Sequence, residues 1–448
     1  MVDNMNYLGF GKDVLKKVLD RGAEEGEICL ASSREITVSY EKNDLQLVKS
    51  NEVKGIGIRA FKGGGVGFAS SNELSSKEIN ECLKNAVSIA DLSPSDPANR
   101  LPEPRTVARV KGIYDPSGES FSMSDAMDYA RRLVMTARDF DSRITIDNAI
   151  FSFNVSHSAV VNSKGIECDE KRTNFQYVIF GMAVDGKEVS SFDYRFDGTH
   201  FVKDINVEKV AMEFARNVIG SLGATTCESF NGSVILTPYA AAEILGMPLT
   251  FSINSDNVQK NRSKFKDMLN KTVASPILTV EDNGTLEGGI ASSSFDREGL
   301  PHKVLKVIEN GKLTTYLYNT YTASNEGIAS TGHARGGYSS IPSVGPTNFI
   351  VKSGKYGIED MVKGTKMAII VNRFSGNVDP ISGKFSGVVK GGKLIENGEY
   401  IKPLTGTLIS GNVYEALNNI SAISSETERV ENFIFPYIKL ENISVTSG

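Results

Sequence analysis

The chain of 448 residues is too long for one hydrophobic core and predicts two or three domains. Its 40% hydrophobic and 23% charged residues are those of an ordinary globular protein. A net charge of -5 and an isoelectric point near 5.7 give no basic footprint for nucleic acid and no attraction to an anionic membrane.

The N-terminal stretch Met1 to Tyr7 has neither the basic nor the apolar region of a secretory signal, and no apolar run is as long as a membrane span. Cysteines at 29, 82, 168 and 227 lack any close spacing, which excludes a CxxC zinc knuckle or redox pair. Isolated thiols fit a reducing compartment, so a soluble cytoplasmic protein is expected.

In chain order, Val14, Leu15, Val18 and Leu19 share one face of a helix predicted over 9–22. Alternating strands follow at 28–32, 36–40 and 53–61, and Lys62-Gly-Gly-Gly65 reads as a hairpin turn before a returning strand. A helix is predicted over 73–90, capped by Ser75 or Ser76. Pro94, Pro97, Pro102, Pro104 and Pro116 mark an extended connector. A helix at 123–140, strands through 143–196 and a helix at 206–220 come next. Beyond Gly232 the pattern is mostly strands and turns, with Asn-Gly hairpin signals at Asn310 and Asn397 and short helices near 239–247 and 413–420. The expected fold class is α+β: N-terminal α/β layers followed by a large, mainly antiparallel β domain. The divisions are 1–92 (N-terminal α+β), 93–118 (connector), 119–228 (central α+β) and 229–448 (C-terminal, mainly β).

The segment Val234 to Leu249 carries the most chemistry, through what it lacks. It reads as a buried strand, a Thr237-Pro238 break and a helix with one acid, Glu243. A zinc-peptidase helix places histidines around such an acid, whereas Ala242 and Met247 stand here. The four histidines, at 157, 200, 302 and 333, share no motif, although His302, His333 and Asp296 could converge on a composite metal site. His333, Arg335, Gly336 and Gly337 lie in a Gly-rich loop that is a candidate substrate or partner surface. Asp282-Asn283-Gly284 reads as a turn of the C-terminal domain. Lys62 to Gly67 opens no helix, which argues against a phosphate cradle, and there is no G-x-S-x-G elbow.

These motifs resemble the TldD/PmbA family of peptide-processing proteins over nearly the whole chain. The resemblance rests on Gly55-Ile-Gly-Ile-Arg-Ala-Phe61, Asn162-Ser-Lys-Gly165, Phe295-Asp-Arg-Glu-Gly-Leu-Pro301, Ser330-Thr-Gly-His-Ala334, Phe385-Ser-Gly387 and Ile409-Ser-Gly-Asn412, in the family's order. The TldD branch carries a His-Glu-x-x-x-His helix that holds the metal, and the TldE/PmbA branch lacks it. The resemblance puts the two histidine positions at Ala242 and Met247 and the acid at Glu243, so this chain resembles the TldE/PmbA branch. It implies no cofactor in this chain, zinc in a TldD-like partner subunit, a heterodimer (or a homodimer), and a peptide substrate. The alternatives are an autonomous metallopeptidase with an unrecognised site and a homodimeric peptide-binding protein. Ligand positions five apart lie about 140° from one another on a regular helix, at about 100° per residue, so the helix must be distorted near Gly246, Met247 and Pro248.

Overall fold

The structure is a computed structural model that describes residues 5–448, so the residues preceding Met5 in the N-terminal stretch lie outside it. Strands hold 41% of the residues and helices 24%, in mixed sheets, as the α+β class requires. Among the described residues no helix is long and apolar enough to cross a membrane.

Helix α1 (Tyr7–Asp20) begins at the Asn6 cap and leads into the long strands β1 (Glu25–Glu41) and β2 (Asp44–Lys62). A tight turn at Gly63 and Gly64 returns the chain as β3 (Gly65–Ser71). Helix α2 (Ser76–Leu92) then starts at Ser75, whose side chain accepts from the Glu78 amide. After the connector come α3 (Met123–Phe140), β4 (Ile144–Asn162) and β5 (Glu167–Asp185), then the short β6 (Glu188–Val189), β7 (Asp193–Thr199) and α4 (Val207–Ile219).

The segments on either side of the connector share one sheet. Strand order is β3-β2-β1-β4-β5-β6, with β7 also on β5, and every pair is antiparallel. β1 pairs with β4 from Glu27↔Asn162 to Glu41↔Asn148. The sequence pattern shows two α/β layers because it records alternation within each segment but not which strands pair across the connector.

Alternation gives this sheet two unlike faces. One face is apolar and lies beneath the helices. Ile28, Leu30, Ile56, Ile58 and Val161 pack under α1 and α2, whereas Ile36, Phe151, Phe153, Phe175 and Tyr177 pack under α3 and α4. The opposite face docks onto the C-terminal domain. There Gly55 and Gly57 leave room for Tyr338: a Cβ at Gly57 would stand 2.1 Å from the Tyr338 carbonyl oxygen.

The C-terminal domain is a 13-stranded sheet around the long strand Phe433–Ser447. It is mixed rather than uniformly antiparallel. Phe349–Val351 runs parallel to Phe433–Ser447, and Phe230–Leu236 runs parallel to Met367–Val371. Both expected Asn-Gly hairpins form, with positive φ at Asn310, Gly311, Asn397 and Gly398.

A buried ionic network fastens the two units. Arg59 Nη2 donates to Glu27 at 2.7 Å and to Glu298 at 3.0 Å, and Arg297 Nη1 donates to Glu27 at 2.8 Å. Glu298 also accepts from the Thr320 amide, and Arg297 Nε donates to the Gly337 carbonyl. Burial opposes the charge on Glu27, but Arg59 and Arg297 outweigh it and hold its carboxyl below the usual value. Glu27→Gln leaves buried arginine charge uncompensated and is expected to cost about 3–5 kcal/mol, read as a lower urea midpoint. A depressed carboxyl pKa contributes stability above its unfolded value that is lost as pH falls. The variant therefore shows a smaller acid-induced loss than the parent chain.

Candidate functional site

The strand Phe230–Leu236 is buried at its C-terminal end and delivers the chain to Thr237. The Thr237 hydroxyl accepts from the Ala240 amide and donates to the Asn372 carbonyl at 2.6 Å, which caps the helix start, and Pro238 occupies the first turn. The helix then changes form: α over Pro238–Ala241, π over Ala242–Gly246, and α again over Met247–Ser252. Pro248 has no amide hydrogen to bond Ile244, and its ring excludes a regular α turn there. The wider π turn resolves this conflict, and Thr250 Oγ1 donates to the Gly246 carbonyl at 2.9 Å. Gly246 is required by close packing, since a Cβ would meet the Phe433 ring at 2.9 Å.

The distortion therefore spans the two motif positions. A π turn is closed by i→i+5 bonds, so it brings residues five apart back above one another. The side chains present are not donors for zinc, which prefers imidazole, thiolate and carboxylate. Ala242 is buried and Met247 is 55% exposed.

Glu243, between them, is tied to the adjacent strand. It accepts from Arg373 Nε at 2.9 Å and from the Phe374 amide at 2.5 Å. The Arg373 guanidinium lies 3.8 Å from the centre of the Tyr194 ring, so one cation serves both the acid and the aromatic face. Burial raises the Glu243 carboxyl above its usual value against the pull of Arg373. Chemically this is a tether between helix and sheet. Glu243→Gln turns an amide NH₂ toward one of the two donors and is expected to cost about 1–3 kcal/mol, seen as a lower melting temperature.

All four histidines are buried. His333, expected on a loop surface, is fully enclosed. Its Nε2 faces Asp282 at 3.0 Å and its Nδ1 faces Thr331 Oγ1 at 2.9 Å. Asp282 also accepts from the amide and hydroxyl of Thr347, and it lies within the strand Val280–Asn283 rather than in an open turn. Asp296 caps its own loop, accepting from the amides of Glu298, Leu300 and Ala334 at 2.9–3.0 Å. His302 lies 6.2 Å from His333, ring centre to ring centre. The composite set of His302, His333 and Asp296 thus does not converge. Among the described residues no group of three or more His, Cys, Asp and Glu side chains is placed to hold a metal.

Of the Gly-rich loop, Ala334–Arg335 forms a two-residue strand against Ser343–Val344, while Gly336 and Gly337 are exposed. Arg335 lines a cleft of about 670 Å³ between β5 and the C-terminal domain. Sequence reasoning did not single out Glu27, Arg59, Arg172, Arg297 or Glu298. The available signal was a charge inside an apolar strand, as in Gly55-Ile-Gly-Ile-Arg-Ala-Phe61, since such a charge needs a partner.

Fold and helix together define an α+β protein whose π-distorted motif helix presents an acid without imidazoles. Comparison with known proteins supplies the family. The chain matches PmbA/TldA metallopeptidase domain 1 over 26–90, the central domain over 116–222 and the C-terminal domain over 230–447. It belongs to the PmbA/TldD family. A metalloprotease TldD homolog of Buchnera aphidicola is 27% identical, covering 96% of this chain and 94% of its own. The metalloprotease PmbA of Escherichia coli O157:H7 is 26% identical, covering 92% and 90%. The crystal structure of TldE from Thermococcus kodakarensis superposes with a TM-score of 0.90 at 22% identity, over 98% of this chain and all of that one, and shares its fold.

Burial, with His333 and Arg335 nearby, drives the His302 pKa down to about 3, so the ring is neutral in the folded chain. The unfolded chain takes up that proton as pH falls below the ordinary histidine value. Stability is therefore present at neutral pH and lost toward acid. Near pH 5 this amounts to about 2 kcal/mol. His302→Gln is expected to flatten the urea midpoint between about pH 7.5 and 5, leaving a residual slope from His200, which burial also depresses.

Proposed function

We propose that this chain is the TldE/PmbA-type subunit of a two-chain peptidase, and that a TldD-like partner supplies the His-Glu-x-x-x-His helix and its zinc. The observation carrying this reading is the motif helix. Its backbone keeps the π turn that a five-residue ligand spacing needs, while Ala242 and Met247 offer no ligand and Glu243 is committed to Arg373 and Phe374. The donor set does not fit zinc, so no catalytic step is assigned to this chain. Its part is to complete the wall of the chamber in which the partner cuts, and to hold an extended peptide or unfolded segment, in the cytoplasm.

Strand addition suits that role, because backbone hydrogen bonds do not depend on side-chain identity. β3 covers β2 only from Ile56 to Lys62, and the uncovered part of β2 carries the exposed Leu45 and Leu47.

The test mixes the purified chain with a TldD-type protein bearing the intact motif. Each is assayed alone and together for metal content, mass in solution and cleavage of an unfolded protein. The expected result is a metal-free, inactive single chain, a one-to-one complex, and activity only in the complex. Stoichiometric zinc and cleavage by the single chain would instead support an autonomous metallopeptidase. A stable homodimer that gains nothing from the TldD-type protein would support a peptide-binding protein.

A further inference from the structure

The docking face of the first sheet carries a second polar feature, separate from the motif helix. Arg172, Asn174 and Gln176 alternate along β5, so all three point from the same face into the 670 Å³ cleft that Arg335 also lines. A volume of this size is in the range of ligand pockets, about 300–1,000 Å³.

The groups in this cleft are incompletely paired. Arg172 Nη2 donates to the Ile290 carbonyl at 2.9 Å, but its Nε is buried with no hydrogen-bond partner. The Asn174 side-chain oxygen is likewise buried without a partner. Among the described residues no ion pair joins either arginine to a carboxylate. Burial lowers both guanidinium pKa values below the ordinary one. The acids that act on them are engaged elsewhere: Glu170 accepts from the Ser294 amide, and Asp282 from His333 and Thr347. Glu431, on the cleft wall, is exposed to solvent. Two partly desolvated cations that no described carboxylate pairs with hold a standing preference for an anion.

We propose that this cleft binds the carboxylate of an acidic peptide segment, gripped by Arg172 and Arg335. The unpartnered Asn174 oxygen favours a peptide over a simple oxyanion. It is an acceptor and favours a ligand rich in hydrogen-bond donors, and a peptide backbone offers a row of N–H groups where phosphate at neutral pH offers one or two O–H groups. Asn432 is already fixed, donating to the Thr347 carbonyl, so Asn174 and Gln176 are the amides left for the peptide backbone. The cleft also adjoins the motif helix, because the turn that brings Glu431 and Asn432 to its wall leads into Phe433, which packs under Gly246. An acidic residue held here would place the neighbouring peptide beside that helix.

The assignment rests on the peptide-handling reading above, but it is read out on the isolated full chain. The probe is a fluorescein-labelled hexapeptide with two glutamates, compared with its glutamine counterpart by fluorescence anisotropy at low salt. The glutamate peptide is expected to bind about tenfold more tightly. Arg335→Gln, at the more open position, is expected to abolish that preference while leaving the circular dichroism and the affinity for the glutamine peptide unchanged. Arg172→Gln is read in the same way if its circular dichroism matches that of the parent chain. Equal affinity for the two peptides, or a preference that survives Arg335→Gln, overturns the proposal. Binding of inorganic phosphate without either peptide also overturns it, leaving a simple oxyanion site. Because no partner chain is present, failure here leaves the two-chain reading standing. Failure of the complex to form leaves the peptide preference measurable.

Discussion

The molecule depends on how a sheet with two unlike faces is joined to a second domain. One face of the first sheet is apolar and closed by helices. The other must dock, and it does so around Glu27, Arg59, Arg297 and Glu298, two acids and two bases buried together. Each charge alone is costly in that position, and their mutual pairing offsets the desolvation. Hydrophobic contacts are tolerant of small shifts, whereas the guanidinium and carboxylate geometry admits one arrangement. The glycines under Tyr338 serve the same junction, because only a strand stripped of side chains lets the loop backbone lie directly on the sheet.

That junction also sets what the rest of the docking face can do. Near the network each buried arginine is ion-paired with a carboxylate and the face is closed. Further along β5 the domains separate, and Arg172 and Arg335 are left without carboxylates in a cleft. Paired and unpaired charge on one surface thus divide a structural part from a part able to receive a ligand. The motif helix stands at the far side of the same cleft region, where Glu243 is spent on holding the helix to the sheet. In this chain the motif helix is a packed support, and on the reading proposed above recognition falls to arginines outside the motif.

Much of this was legible in the residues. The alternation in β1 (which runs through both expected segments 28–32 and 36–40 as one strand), β2, β4 and β5, the capping serine of α2, the Asn-Gly hairpins and the Thr-Pro start of the motif helix formed, because each depends on neighbours in sequence. The helix distortion was readable too, since a proline inside a helix must be accommodated within a turn. The destination of His333 was not. Glycines around it suggest a surface loop, but its ring turns inward to Asp282, a residue 51 positions away that only the folded sheet brings near.

By itself, the sequence determined the α+β class, the positions of most elements, the family frame and the absence of imidazoles at Ala242 and Met247. These follow from local periodicity, turn chemistry and residue identity. Tertiary structure alone decided that strands on both sides of the connector form one sheet. It also decided that Glu27 meets Arg297 across 270 positions, and that Arg172 and Arg335 share a cleft without carboxylate partners among the described residues. The physical reason is that pairing and burial of charge are properties of distant surfaces brought together. A charged residue in an apolar strand announces that it needs a partner but carries no record of which one the fold provides.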